Sequence, residues 1–294
     1  MADLDEIVQL TGPRAPITTK VGRRFHGIDP VIAVCAGFIV AMIAVALLAP
    51  LIAPYNPNAL NILARYQGPS AQHLLGTDSL GRDLLSRLIY GARLSLLGPF
   101  LIILIATISG TFLAITSAWV GGLFDNVVSR ILDILFAFPG LILAMLAVAL
   151  FGAGLIAPVI ALSIAYLPYI ARVLRSGAIR ERALPYIDAC YAEGLPTRTI
   201  ATRHLLPNIM PLVLVQATLS FGYALVDLAA ISYLGLGVQP PASEWGLMIS
   251  NGQSSILAGH PQESISAALM IVLTVVAFNI LGDRLAVYFS TESR

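Results

Sequence analysis

Long uncharged runs alternate with short polar stretches along this chain. A helix that crosses a membrane's hydrocarbon core needs about 20 apolar residues. Six segments reach that length: 31–53, 94–118, 131–151, 155–174, 209–234 and 264–282. Pro50 and Pro54 end the first. Asp133 stands near the start of the third, and Pro139 predicts a kink inside it. The uncharged stretch between Asp133 and Arg172 is too long for one helix, and the FGAG segment at 151–154 supplies a turn. The pattern predicts an all-α integral membrane bundle of six transmembrane helices.

Composition supports membrane lipid as the solvent. The chain is 57% hydrophobic and 11% charged, with a mean hydropathy of +0.85, whereas a soluble domain carries roughly 25% charged residues. A net charge of +1 gives no reason to expect a nucleic-acid partner. Cys35 falls in an apolar run and Cys190 in a polar loop, so no disulfide framework is expected. Residues 1–29 are mixed and polar rather than a secretory signal, and read as a cytoplasmic arm. Residues 30–93 read as the first transmembrane helix plus an extracytoplasmic loop, and 94–290 as the core.

Lys and Arg set the direction of insertion. With the N-terminus in the cytoplasm, the inner side holds Arg14, Lys20, Arg23, Arg24, Arg130, Arg172, Arg175, Arg180, Arg182, Arg198, Arg203, Arg284 and Arg294. The outer side then holds only Arg65, Arg82, Arg87 and Arg93. Both termini are therefore expected inside. The four outer arginines share one loop, where Asp78 and Asp83 offset part of their charge.

The most informative polar stretch is 186–208, YIDACYAEGLPTRTIATRHLLPN. Pro185 and Pro196 bracket one short helix, since proline fits helix starts and breaks helix interiors. Asp188, Ala189, Cys190 and Gly194 follow in order, and Leu206 and Pro207 close the stretch. The order resembles the EAA coupling loop of permeases in bacterial ABC importers, with Asp188-Ala189-Cys190 where the family has Glu-Ala-Ala. Glu193 stands where an apolar residue is usual. The resemblance implies that Tyr186, Asp188, Ala189, Cys190, Gly194, Leu206 and Pro207, within a wider loop at 172–208, engage a separate ATPase. Gly194 is expected at the helix-to-turn junction, where φ > 0 is needed.

Two further stretches resemble the dipeptide and oligopeptide permease C-type subfamily. The first, HLLGTDSLGRDLLSRLIYGARLSL at 73–96, carries Gly76, Thr77, Asp78, Gly81, Arg82, Asp83, Ser86, Arg87, Gly91, Ala92 and Arg93 on the family pattern. Thr77-Asp78 can cap a turn or a helix, and Arg82, Asp83 and Arg87 can pair locally, so this segment reads as a salt-bridged cap over the outer end. The second, ISYLGLGVQPPASEWGLMI at 231–249, is rich in turns, and Trp245 is expected as an interfacial anchor. It reads either as a docking contact for an external binding protein or as a structural lid. LDILFAFPGLILA at 132–144 and YIARVLR at 169–175 also look like the family.

Asp227 lies within the fifth span, where a charge at mid-bilayer costs at least ~2.5 kcal/mol. It reads as a pathway or gate residue, or as an inter-subunit hydrogen-bond partner, and Asp133 is weighed in the same way. No G-x-x-x-x-G-K-[ST] phosphate loop, H-E-x-x-H or G-x-S-x-G occurs, which points away from an enzyme. The chain is expected to bind no cofactor. The resemblance places ATP and Mg on one or two partner ATPase subunits. It also implies a second homologous permease, an extracytoplasmic substrate-binding protein, the bacterial inner membrane and alternating access for short peptides. Nickel, glutathione or another solute is the alternative cargo. A self-sufficient secondary transporter, with Asp133 and Asp227 as ion or proton sites, is the alternative class.

Overall fold

A computed structural model describes residues 30–292. The expected cytoplasmic arm, with Arg14, Lys20, Arg23, Arg24 and His26, lies outside the described residues, as does Arg294. The principal elements are α1 (Pro30–Leu47), α2 (Leu84–Val120), α3 (Gly122–Phe136), α4 (Gly140–Phe151), α5 (Ile156–Arg182), α6 (Pro185–Ala192), α7 (Thr197–Tyr233), α8 (Trp245–Asn251) and α9 (Gln262–Glu292), with short helical turns at Ala49–Ile52, Ile62–Ala64 and Gln253–Leu257. Five helices, α1, α2, α5, α7 and α9, are long and apolar enough to cross a membrane. The pair α3–α4 makes a sixth span if counted as one.

The third span is where expectation and structure differ most. Instead of a kinked helix over 131–151, α3 and α4 are separate helices bent by 81° at their junction. Pro139 has extended backbone (ψ 127°) and stands as the N-cap of α4. It cannot donate to the ladder, and it disfavours helical backbone at the residue before it.

The second span starts at Leu84 rather than Leu94. Asp83 caps it, its Oδ2 accepting from the Ser86 amide at 2.8 Å and the Ser86 hydroxyl at 2.7 Å. At 37 residues, α2 is about 55 Å long, well beyond a core of about 30 Å. Its first turns therefore stand above the hydrocarbon.

Helices α2 and α5 run parallel and in close contact. Gly98 lies by Leu155, Gly110 by Ile170 and Ala171, and the carbonyls of Ala118 and Trp119 by Arg182. Ala106, Ala114, Ala171 and Ala178 are buried along this line, and small residues let membrane helices approach closely. Leu205, Ile209 and Val213 of α7 complete that core. A second core joins α1, α2, α7 and α9, where Phe221 and Phe278 stack at 3.9 Å.

Trp245 is not an interfacial anchor. It is fully buried (0% exposed) at the start of α8. Its Nε1 donates to the Leu88 carbonyl at 3.1 Å, and its amide donates to Ser95 Oγ at 2.9 Å. Gly91 leaves the indole its space, because a Cβ there would lie 3.0 Å from Trp245 Cδ1. Glu244 caps α8 by accepting from the Gly246 and Leu247 amides at 2.9 Å each.

Around Asp78 the charges of the 73–96 stretch close on one another. Its Oδ1 accepts from the Leu80 and Arg82 amides at 2.8 and 2.9 Å. Its Oδ2 lies 2.6 Å from Arg82 Nε and 3.7 Å from Arg87 Nε. Arg87 also donates to the Pro57 carbonyl at 3.3 Å. Asp78 thus caps a turn while Asp83 caps the helix, and Asp83 pairs with His73 at 2.9 Å rather than with an arginine.

Candidate functional site

Helix α6 lies between the end of α5 and the start of α7, as Pro185 and Pro196 predict. Pro185 occupies the first helical turn, where its missing N–H costs nothing. The helix closes in a Schellman turn. The Leu195 amide donates to the Cys190 carbonyl at 3.1 Å, and the Gly194 amide donates to the Tyr191 carbonyl at 2.9 Å. Gly194 has φ +77°, the left-handed conformation expected of it. A Cβ placed there would meet nothing within 4 Å, so the chain leaves this corner open to whatever approaches from outside.

One face of α6 is anchored. Ile187 and Cys190 are buried with Ile200, and Trp119, Tyr186 and Leu195 pack against them. The other face is presented, with Asp188, Ala189, Glu193 and Gly194 all exposed. Asp188 makes no hydrogen bond or ion pair among the described residues, and it sits in the first turn, where the helix dipole favours an anion. Leu206 is half-buried and Pro207 exposed. Pro207 cannot donate to the carbonyl four residues back. The preceding Ile200–Leu205 turn takes the wider π form, a local rearrangement that restores backbone pairing around such a break.

Two side-chain networks tie α6 to the spans, and the sequence singled out neither. In the first, Tyr186 Oη donates to Glu181 Oε1 at 2.8 Å. Asn208 Nδ2 donates to the same Glu181 oxygen at 3.0 Å and to Tyr186 Oη at 2.9 Å. This joins the end of α5, the start of α6 and the start of α7. Burial, then the hydrogen bond to Glu181, push the Tyr186 phenol up to about 12.

In the second network, Arg182 donates to the Ala118 carbonyl and, at 2.8 Å, to the Trp119 carbonyl, and its guanidinium lies over the Trp119 ring at 5.3 Å. Cations favour helix C-termini, so Arg182 fastens the end of α5 to the end of α2. The Trp119 ring lies 6.2 Å from that of Tyr191 on α6. The available signal was that Trp119 is one of only two tryptophans and Arg182 ends a basic run.

The two acids singled out lie apart from α6 and from each other. Asp227 of α7 accepts from Tyr166 Oη at 2.8 Å, so its hydrogen-bond partner lies within this chain. Asp133 of α3 pairs with Arg172 at 2.8 Å, both ends exposed. Tyr166 and Arg172 both belong to α5, about 9 Å apart along its axis. A second bridge from α3 to α5 runs from Asp125 to Arg175, which engages both carboxylate oxygens.

Comparison with known proteins gives concordant results. Residues 106–294 match the family described as binding-protein-dependent transport system inner membrane component. Residues 29–69 match the N-terminal TM domain of oligopeptide transport permease C. The chain is 38% identical over 256 residues to the glutathione transport system permease protein GsiD of Pectobacterium atrosepticum, covering 86% of this chain and 85% of that one. It is 40% identical over 247 residues to the dipeptide transport system permease protein DppC of Alkalihalophilus pseudofirmus, covering 84% and 81%. Among solved structures, an inward-facing form of the MetNI methionine ABC transporter aligns with a TM-score of 0.55 at 21% identity, over 69% of this chain and 95% of that one. At that identity the likeness speaks to the fold.

Proposed function

The chain belongs to the binding-protein-dependent transport system inner membrane components, the permease subunits of ABC importers, and from that premise we propose that it carries short peptides. It forms one half of the translocation path and a second, non-identical permease forms the other. ATP, with Mg, is hydrolysed on one or two separate ATPase chains, and an extracytoplasmic binding protein delivers the peptide. Its N- and C-termini face the cytoplasm of a bacterial cell. Two relatives named for glutathione and dipeptide transport support a peptide-sized cargo.

The observation that carries the coupling role is α6 itself. Its inner face is locked to α2, α5 and α7 through Trp119, Arg182, Glu181 and Asn208, while Asp188 and the open Gly194 corner point outward without partners. A push on α6 is therefore transmitted to three spans at once. Such a joint lets ATP-driven closure of the ATPases bias a two-state arrangement of the bundle. Asp78 offsets one charge of the pair Arg82 and Arg87, and the count of thirteen Lys and Arg inside against four outside supports the orientation with both termini inside.

The test is affinity purification from the native membrane, followed by peptide uptake in proteoliposomes. Co-purification of a second permease and a P-loop ATPase is expected. Loss of uptake is expected for Gly194→Arg and for deletion of 188–194, with membrane insertion intact. A chain that purifies alone and moves solute without ATP would overturn the reading and direct attention to Asp133 and Asp227.

A further inference from the structure

Between α1, α2 and α9 lies an apolar cavity of about 640 Å³, lined by Met42, Ile43, Ala46, Leu96, Phe100 and Phe278, with Arg93 also in its wall. A second cavity, of about 610 Å³, shares Arg93 as a wall and is lined by Tyr55, Asn58, Tyr90 and Ser243 among others. Arg93 is the residue common to both. The first space is a hydrocarbon slot whose only hydroxyl is that of Thr274. The second mixes prolines with amide and hydroxyl groups, and no acid lines either one.

Arg93 is exposed and fixed in direction. Its Nε donates to the Ala46 carbonyl at 2.8 Å, and its guanidinium lies 5.8 Å from the Tyr90 ring centre. These are its only contacts of that kind among the described residues, and both Nη groups remain free. Ala46 lies at the end of α1, whose 18 residues span about 27 Å, close to the thickness of a hydrocarbon core. Arg93 therefore stands at headgroup depth, where a long cationic side chain meets lipid phosphate.

We propose that this pair of cavities is a binding site for one anionic phospholipid. An acyl chain fills the α1–α2–α9 slot, the phosphate rests on the two free Nη groups of Arg93, and the headgroup lies among Tyr55, Asn58 and Ser243. A peptide does not fit the slot, because its backbone amides would find no partners there. A zwitterionic headgroup fits less well than an anionic one, because its ammonium would sit beside Arg93 with no carboxylate to receive it. This site does not rest on the transport reading.

The test uses the complex purified from its native membrane and exchanged into nanodiscs of mixed phosphatidylglycerol and phosphatidylethanolamine. Lipid that survives detergent extraction is then quantified by mass spectrometry. The expected result is phosphatidylglycerol enriched about fivefold over the bulk mixture, the ratio that one arginine's attraction for an anionic lipid gives. Enrichment is lost in Arg93→Gln and kept in Arg93→Lys. Ile43 lines the slot, and Ile43→Trp, which fills it and leaves Arg93 in place, also abolishes enrichment and decides the matter if Arg93→Gln does not assemble. No enrichment in the wild type, equal enrichment of phosphatidylethanolamine, or enrichment unchanged by Arg93→Gln or by Ile43→Trp would overturn the site.

Discussion

The Asp78 end of the bundle and the α6 end carry similar residue types and use them in opposite ways. Asp78 (2% exposed) is hydrogen-bonded to Arg82 and lies 3.7 Å from Arg87 inside the chain, and Trp245 is sealed beneath Gly91 and the Leu88 carbonyl. At α6 the acid stands exposed, the glycine corner is open, and only the rear face is packed. The difference teaches where to look for a partner. A charged motif that closes on itself stabilises the fold, and one held rigidly from behind with its front unsatisfied is where we propose that a partner docks.

The sharpest way to break this comparison is Asp78→Ala. It would leave Arg82 without the carboxylate it is hydrogen-bonded to and Arg87 with the buried Glu263 alone to offset it, and a broken buried pair costs about 3–5 kcal/mol. Thermal unfolding in detergent should fall steeply, whereas Asp188→Ala should shift stability by no more than about 0.5 kcal/mol. Equal effects of the two substitutions would dissolve the distinction.

Next comes Gly91→Ala, whose new methyl would press on the Trp245 indole at 3.0 Å. Overpacking of this kind costs about 1–3 kcal/mol, read by the same unfolding experiment.

Gly194→Ala meets no atom within 4 Å but keeps φ +77°. It should cost about 1–2 kcal/mol from backbone strain alone. Uptake by Gly194→Ala should persist where Gly194→Arg abolishes it, which separates strain from docking.

The smallest effect concerns pH. Tyr186 is pushed up to about 12 from an ordinary value near 10, so the fold favours the neutral phenol. Its contribution is complete below about pH 10 and is lost as pH rises through about 12. An ultraviolet phenolate titration of the wild type minus Tyr186→Phe should show one late-ionising tyrosine. Ionisation near 10 would mean that the Glu181–Tyr186–Asn208 junction is loose.

Much of α6 was legible because its determinants are local. Pro185, Pro196 and Gly194 each act on their own backbone within a few residues, so the short helix and its left-handed close follow from sequence alone. The spans were legible for the same reason, since an uncharged run is a local property. The start of α2 was not. Arg82, Arg87 and Arg93 interrupt the apolar pattern, and only the fold supplies the distant groups, Pro57 and Ala46 among them, that accommodate two of these cations. Trp245 was misplaced because its burial depends on Gly91 and Leu88, which are remote in the chain. The Arg182–Trp119 and Glu181–Asn208 ties are likewise long-range and carry no periodic signal. The 81° break at Pro139 exceeds the kink expected because the extended backbone there ends one helix and starts another.

The most direct test of the central claim is a photoreactive amino acid in place of Asp188, activated in the intact complex in its native membrane, with the adducts identified by mass spectrometry. The account predicts an adduct with a separate chain that carries a G-x-x-x-x-G-K-[ST] phosphate loop. Adducts with lipid or with this chain alone, in a complex that still takes up peptide, would contradict it.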